Sequence, residues 1–483
     1  MTTNGWASDV PVIDRASVVP IYRQLYERLR EQILTGALPE GTRLPPERAL
    51  ADRLGVNRST IVHGYRELVA DGLIEQRVGS GSRVAALREG VERTASGVPW
   101  WVTLPPWRVG QYPAVLGELA ASEHGEQIAF VQGVPPAEPS PLAALSASFA
   151  RVGGNVNYVL TYGDSEGYAP LREAVAERMR RRGAAVDARE VMMLTGSTQG
   201  IALVAQSLAE PGDEIVVEAP TYPGALQVFQ IHGLRAIPVP VDEQGVRVDH
   251  IEAILRTRRP RFIYIMPSLH NPTGVTLSEE RRDRLVMLAR RWGVPLVEDD
   301  PYGELAQSSL APLIARGTDD VIYLSSFSKT IAPSLRLGWM VAPRTIYDRL
   351  LLRKQSYDMA SSMYIQAGVD DFMRTAYDVH LRALRGELAE RRALANAAIA
   401  RYWPPSLRAD PNADGYYVWA SAPREFRARA LLASAERRGV SFLFGEAFFA
   451  QGGGDRYIRL ALTPVPRDAI EEGLARIGAI VKA

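Results

Sequence analysis

From Val191 to Leu324 short apolar runs alternate with longer amphipathic stretches, and this alternation limits the fold more than any other feature of the chain. Val191 to Thr195 reads as a strand, and Gly196-Ser197-Thr198-Gln199-Gly200 opens a helix that ends before Pro211-Gly212. Further strands are predicted over Glu214 to Val217, Phe262 to Met266, Pro295 to Glu298 and Val321 to Leu324, with helices after Tyr222 and over Ser278 to Trp292. Such alternation builds an α/β fold with a mainly parallel sheet covered on both faces, which receives ligands at the carboxyl ends of its strands.

The unusual residues fall at those ends. After Met266 comes Pro267-Ser268-Leu269-His270-Asn271-Pro272-Thr273-Gly274, and after Glu298 comes Asp299-Asp300-Pro301-Tyr302. After Leu324 comes Ser325-Ser326-Phe327-Ser328-Lys329, with Arg336 seven residues on. Consecutive strands thus deliver Asn271, Asp299 with Tyr302, and Lys329 to one rim. Lysine is scarce here: Lys and Arg together number 56, lysine occurs only at Lys329, Lys354 and Lys482, and arginine supplies the other 53. Arginine stays protonated and cannot form a Schiff base, whereas a desolvated lysine can lose its proton and condense with an aldehyde. A surface lysine with no special role explains the count equally well; the neighbours of Lys329 argue against it.

Pyridoxal phosphate (PLP) asks for this set of groups. A carboxylate must face its pyridine nitrogen, an amide and a phenol hydrogen-bond its ring hydroxyl, and its phosphate needs hydroxyls, a helix N-terminus and an arginine. The glycine-and-hydroxyl turn at Gly196 to Gly200 is such an anion site, although an ordinary capped helix has the same sequence.

The N-terminal part follows another pattern. Ile21, Leu25, Leu29 and Ile33 recur every four residues and predict an amphipathic helix over Pro20 to Thr35. A short helix over Glu47 to Leu54 ends at Gly55, and Asn57 can cap a further helix through Ile61, Val62, Tyr65, Leu68 and Val69 to Asp71-Gly72. Leu73 to Val84 alternates around Gly79-Ser80-Gly81 as a hairpin. Two helices joined this tightly and followed by a hairpin form a winged helix-turn-helix, a pattern that small helical bundles also produce by chance.

At 483 residues the chain exceeds a single core and implies two or more domains. A net charge of +1 gives no global attraction to nucleic acid, so DNA contact must come from a local patch. With no cysteine, disulfides, thiolate metal sites and cysteine nucleophiles are excluded, and no metal site is assigned. Met1 to Ile13 lacks a signal pattern and no apolar run is long enough to span a membrane, so a cytoplasmic protein is expected. Residues 86–112 read as a connector, rich in Gly and Pro but holding Trp100, Trp101 and Trp107, part of which should dock on a domain. A helical pattern over Val115 to His124 starts the large domain, giving domains at 14–85 and 113–483.

Residues 18–85, including Leu44-Pro45-Pro46-Glu47-Arg48 and Leu54-Gly55-Val56-Asn57-Arg58-Ser59-Thr60, resemble the GntR-type winged helix-turn-helix. The resemblance implies that Arg48, Arg58, Ser59 and Thr60 contact DNA, with Gly81 at the wing tip. From about Tyr158 onward the chain resembles the fold-type I aminotransferases, with their mainly parallel sheet and smaller C-terminal α+β domain. Position by position this implies Lys329 as the aldimine lysine, Asp299 on the pyridine nitrogen, and Asn271 and Tyr302 on the ring oxygen. Ser197, Thr198, Ser326, Ser328 and Arg336 would bind phosphate, and Tyr222 would stack on the ring. Tyr162 matches the tyrosine that crosses from the partner subunit, and Arg459 matches the arginine that holds an α-carboxylate. Tyr222 as a core residue and Arg459 as a surface ion pair are the plainer accounts of those two.

The two parts in this order resemble the MocR family of PLP-dependent transcriptional regulators. That implies a homodimer through the large domain, operator DNA as partner, and an amino acid or amine effector sensed by aldimine exchange at Lys329. An active aminotransferase with an accessory DNA-binding domain is the alternative, which the intact Asn271 and Asp299 keep open. A DNA-binding scaffold that makes no use of PLP is a third reading and requires the lysine constellation to be vestigial.

Overall fold

The computed structural model describes residues 13–14, 19–34, 37–77, 81–85, 127–159, 161–307, 310–423, 425 and 427–482. They fall in two compact units, within Met1–Trp107 and Arg108–Ala483. The connector over 86–112, its tryptophans, the helix over 115–124 and the tip of the hairpin lie outside the described residues.

In the first unit, α1 (Ile21–Leu34), α2 (Glu47–Leu54) and α3 (Arg58–Ala70) precede an antiparallel pair, β1 (Ile74–Arg77) and β2 (Gly81–Val84). The four-residue spacing of α1 buries Leu25, Leu29 and Ile33 against Leu50 of α2 and Ile61, Tyr65 and Leu68 of α3. Val69 stays 37% exposed, so the apolar face of α3 is narrower than the sequence pattern. Gly55 ends α2 at φ 59°, a left-handed conformation in which a side chain would be strained. The Asn57 side chain accepts the Ser59 N–H at 3.1 Å and caps α3, which starts only three intervening residues after α2 ends.

The second unit contains two sheets. The larger uses β4 (Val191–Leu194), β5 (Glu214–Ala219), β6 (Arg235–Asp242), β7 (Gly245–Val246), β8 (Ile263–Ile265), β9 (Leu296–Asp299), β10 (Val321–Ser326) and β11 (Gly338–Val341), in the order β4-β11-β10-β9-β8-β5-β6-β7. Strands β10, β9, β8, β5 and β6 are parallel neighbours, while β11 runs against both β10 and β4. Strand β4 therefore points the same way as β10, and the carboxyl ends of six strands share one rim. Strand β11 departs from the expected alternation. The eleven residues Phe327 to Leu337 are too few for a helical crossover, so the chain turns back antiparallel beside β10. Strands β4, β9 and β10 are buried along their whole length, which is why they read as continuous apolar runs.

The smaller sheet joins β3 (Ile128–Phe130), β12 (Arg408–Ala409), β13 (Tyr417–Ser421), β14 (Val440–Phe444) and β15 (Tyr457–Ala461) in the order β12-β13-β15-β14-β3. Its core packs Val418, Phe442 and Leu460 against helices Tyr377–Tyr402 and Ala469–Lys482.

Candidate functional site

The rim of the large sheet is where the sequence-selected residues converge. Neighbours β8, β9 and β10 lead into Asn271, Asp299 with Tyr302, and Ser326 with Lys329. Strand β4 leads into the helix Ser197–Leu208, and β5 into Tyr222.

Asp299 is 1% exposed. Its Oδ2 accepts from the Tyr264 hydroxyl at 2.5 Å, and its Oδ1 has no partner. Burial pushes the carboxyl up to about 7, aided by Asp300 and opposed by the Tyr264 hydrogen bond and the Lys329 ammonium. Asp300 plays a different part: its Oδ2 is held by Arg182 at 2.7 Å and by the Tyr323 hydroxyl at 3.0 Å. Asp299 has Lys329 and Tyr222 as electrostatic neighbours.

Lys329 is half-buried, and its Nζ donates to the Gly133 carbonyl. The Tyr302 and Tyr417 hydroxyls are 2.7 Å apart. Burial raises the phenols of Tyr302 and Tyr222, the latter also because Asp299 is close. Asn271 is buried, and its Oδ1 accepts from Arg459 at 3.2 Å.

Arg459 comes from β15 of the small sheet. It is 6% exposed, donates also to the Val131 carbonyl, lies over the Tyr417 and Phe448 rings, and leaves Nε without a partner. No carboxylate neutralises it among the described residues, so the surface ion pair is excluded. Burial lowers its basicity, against the pull of the Tyr417, Tyr302 and Tyr222 phenols.

An anion cradle lies beside these groups. The helix Ser197–Leu208 presents the Ser197 and Thr198 hydroxyls and free backbone N–H groups. The Arg336 guanidinium sits against Gly196, where an added Cβ would lie 2.8 Å from it. Gly196 has φ 121°, so this close approach needs glycine twice over. The Ser326 and Ser328 hydroxyls bond each other at 2.8 Å on the opposite turn. Tyr162 is 87% exposed and does not reach the site of its own chain.

Chemically the rim combines a primary amine, an unpaired carboxylate oxygen, an anion cradle and a buried cation. Local sequence did not mark Tyr264, Gly133 or Tyr417. Only the Tyr416-Tyr417 pair after Gly415 offered a signal, as two adjacent phenols.

In the first unit Arg48, Arg58 and Ser59 are exposed along α2 and the start of α3, and Thr60 is half-buried. The Arg58 guanidinium meets Glu47 at 3.0 Å. Gly81 begins β2 opposite Arg77, with the exposed Arg43 beside it. Arg43 also pairs through its backbone with Arg83, a second exposed arginine that the sequence reading did not single out.

Residues 138–477 match the family model for aminotransferase class I and II, and residues 21–84 match that for bacterial regulatory proteins of the gntR family. The probable rhizopine catabolism regulatory protein MocR of Rhizobium meliloti is 32% identical over 455 residues, 89% of this chain and 87% of its own. The HTH-type transcriptional regulator YdfD of Bacillus subtilis is 29% identical over 475 residues, 96% and 97% of the respective chains. Among solved structures, LysN, an α-aminoadipate aminotransferase from Thermus thermophilus complexed with N-(5'-phosphopyridoxyl)-L-leucine, has a TM-score of 0.72 at 32% identity, over 77% of this chain and 97% of its own. With both models matched in this order and full-length relatives built the same way, the chain belongs to the MocR family, a gntR-family regulatory domain followed by a class I and II aminotransferase domain.

Proposed function

We propose that this protein is a cytoplasmic, PLP-dependent transcriptional regulator. It binds promoter DNA through residues 14–85, with Arg48, Arg58, Ser59, Thr60 and Gly81 at the contact. Residues 86–112 connect this domain to residues 113–483, which hold PLP, dimerise, and sense an amino acid or amine effector by exchange at Lys329. The observation that carries the reading is Asp299 Oδ1, a buried carboxylate oxygen without a partner. Burial alone leaves Asp299 partly protonated near neutral pH, and a cationic ring nitrogen against Oδ1 would restore its charge.

The remaining donors fit the same group. When bound, PLP supplies an aldehyde carbon that condenses with primary amines and a ring that withdraws electrons. Asp299 would keep the ring nitrogen protonated, Asn271 and Tyr302 would hold the ring oxygen, and Tyr222 would lie against the ring. Ser197, Thr198, Ser326, Ser328 and Arg336 bind the phosphate by hydroxyls, helix dipole and guanidinium. Tyr162, exposed on its own chain, completes the site of a second copy. Arg459 would receive the effector's carboxylate, and Lys329 would be the amine with which the effector's amine competes. A lysine freed in this way, and a shift of the large domain, would then alter DNA binding.

Absorbance and DNA binding measured on one preparation test this. The wild type should show absorbance of lysine-bound cofactor that shifts with an amino acid or amine, and the same compound should change its binding to DNA from upstream of its own gene. Lys329→Ala should lose both responses. A second reading, an active aminotransferase with an accessory DNA-binding domain, is favoured by the completeness of the set, Asn271 and Arg459 included. Keto-acid formation at ordinary enzyme rates, with DNA binding indifferent to the amine, would decide for it. A Lys329→Ala protein with an unchanged spectrum and response would sink both.

A further inference from the structure

Tyr417 belongs to no role assigned above, yet it touches three parts of the site. It begins β13, where its carbonyl accepts from the buried Arg392. The register sets Trp419 opposite Arg459 and Tyr417 opposite Ala461, so Tyr417 is the diagonal neighbour of Arg459 on the same sheet face. Its ring lies 4.4 Å from the Arg459 guanidinium carbon, and its hydroxyl lies 2.7 Å from that of Tyr302. The hydroxyl also fills the space over Gly133: a Cβ there would lie 2.0 Å from it. That same Gly133 carbonyl accepts from Lys329 Nζ. Tyr417 itself is only 2% exposed, so water does not compete for these contacts.

We propose that Tyr417 is a positioning residue that couples the carboxylate site at Arg459 to Tyr302, and through Tyr302 to the cofactor oxygen. This rests on the PLP reading above. A hydroxyl has one proton. If Tyr302 turns its proton to the cofactor's ring oxygen, its contact with Tyr417 requires Tyr417 to donate, and a Tyr302 that accepts is the stronger donor in turn. The Arg459 charge beside the Tyr417 ring favours that donation, and a carboxylate seated on Arg459 offsets the charge. A ligand that carries a carboxylate is thereby distinguished from a plain amine at the cofactor, beyond any difference in affinity.

The test is a pH titration of the lysine-bound cofactor's absorbance in PLP-loaded wild type, Tyr417→Phe, Tyr302→Phe and the double variant, each with and without saturating acetate as the carboxylate probe. Loss of one hydrogen bond to Tyr302 should raise the Tyr417→Phe midpoint by about 0.5–1 pH unit. Acetate should raise the wild-type midpoint and have at most half that effect in Tyr417→Phe, where only its direct field remains. The double variant should titrate like Tyr302→Phe alone. Gly133→Ala, whose Cβ would displace the Tyr417 hydroxyl, should shift the midpoint in the same direction and supplies the readout should Tyr417→Phe fold poorly. A wild type indifferent to acetate, variants that titrate like the wild type, or a double variant with the sum of both shifts overturns the coupling. A wild type without this absorbance defeats instead the PLP reading on which it rests.

Discussion

Tyr264 donates to Asp299 Oδ2 at 2.5 Å and leaves Oδ1 bare, so one oxygen of a buried carboxylate is fixed by the fold and the other is left for a ligand. This arrangement makes the cofactor-free protein sensitive to pH. Asp299 has a folded-state pKa raised to about 7, so its contribution to stability is fully present below about pH 4 and is lost as pH rises to about 7. A ring cation at Oδ1 removes that loss. The gap in melting temperature between PLP-loaded and cofactor-free protein should therefore be wider at pH 8 than at pH 5. Asp299→Asn should melt a few degrees above the cofactor-free wild type at pH 8, and its gap between PLP-loaded and cofactor-free protein should not widen from pH 5 to pH 8. Thermal melts at the two pH values check all of these.

A second lysine has a structural task. Lys354 is fully buried on helix Arg344–Asp358 and meets Asp358 at 2.9 Å, while Asp358 also accepts from Gln199 at 3.0 Å. Gln199 in turn accepts the Thr195 N–H at 2.9 Å, just before the anion cradle. Removing one member of a buried pair strands the other. Lys354→Ala should cost about 3 kcal/mol, the low end for a buried pair because Asp358 is partly exposed. Lys329→Ala, which loses one hydrogen bond from a half-buried amine, should cost about 1 kcal/mol or less. Denaturant midpoints of the two variants decide the order.

This contrast marks what the sequence could show. Asn57, Gly55 and the residues after β8, β9 and β10 were legible because caps, turns and strand ends are local events with local signals. Lys329 was singled out by scarcity together with those neighbours, whereas Lys354 has equal scarcity but takes its meaning from burial, which no short spacing encodes. Tyr302 and Tyr417 are separated by 115 residues, and Lys329 and Gly133 by 196, so their contacts arise only once the two sheets pack. Strand β11 was missed because an alternation of strand and helix gives no warning of the one short turn that breaks it.

Arg58 should serve DNA at little cost to the fold. Its ion pair with Glu47 joins α3 to α2, but the two side chains are 56% and 25% exposed. Exposed pairs contribute under about 1 kcal/mol, so Arg58→Ala should unfold nearly as the wild type does. Loss of one phosphate or base contact should weaken operator binding by about tenfold and lower the salt-dependence slope by about 1 if the contact is to phosphate. Binding isotherms at several salt concentrations measure both. An unchanged isotherm would remove Arg58 from the DNA surface.

Arg459 should show the opposite division between stability and ligand. Its buried guanidinium has two hydrogen-bond acceptors and two ring faces, with Nε unpartnered and no carboxylate beside it among the described residues. Desolvating such a cation is costly, and replacing a buried ion with an apolar side chain of similar length is often neutral. The lost bonds to Asn271 and Val131 work against this at about 1–3 kcal/mol each, so the terms nearly cancel. Arg459→Met is therefore expected to leave the unfolding free energy of the cofactor-free protein within about 2 kcal/mol of wild type. The same change should cost an amino acid about 100-fold in affinity, two charge-assisted hydrogen bonds, and cost the matching amine without a carboxylate little. Absorbance titrations with an amino acid and its decarboxylated counterpart measure that gap. If the gap survives in Arg459→Met, the carboxylate is held elsewhere, and the bare Nε has to be explained by the fold alone.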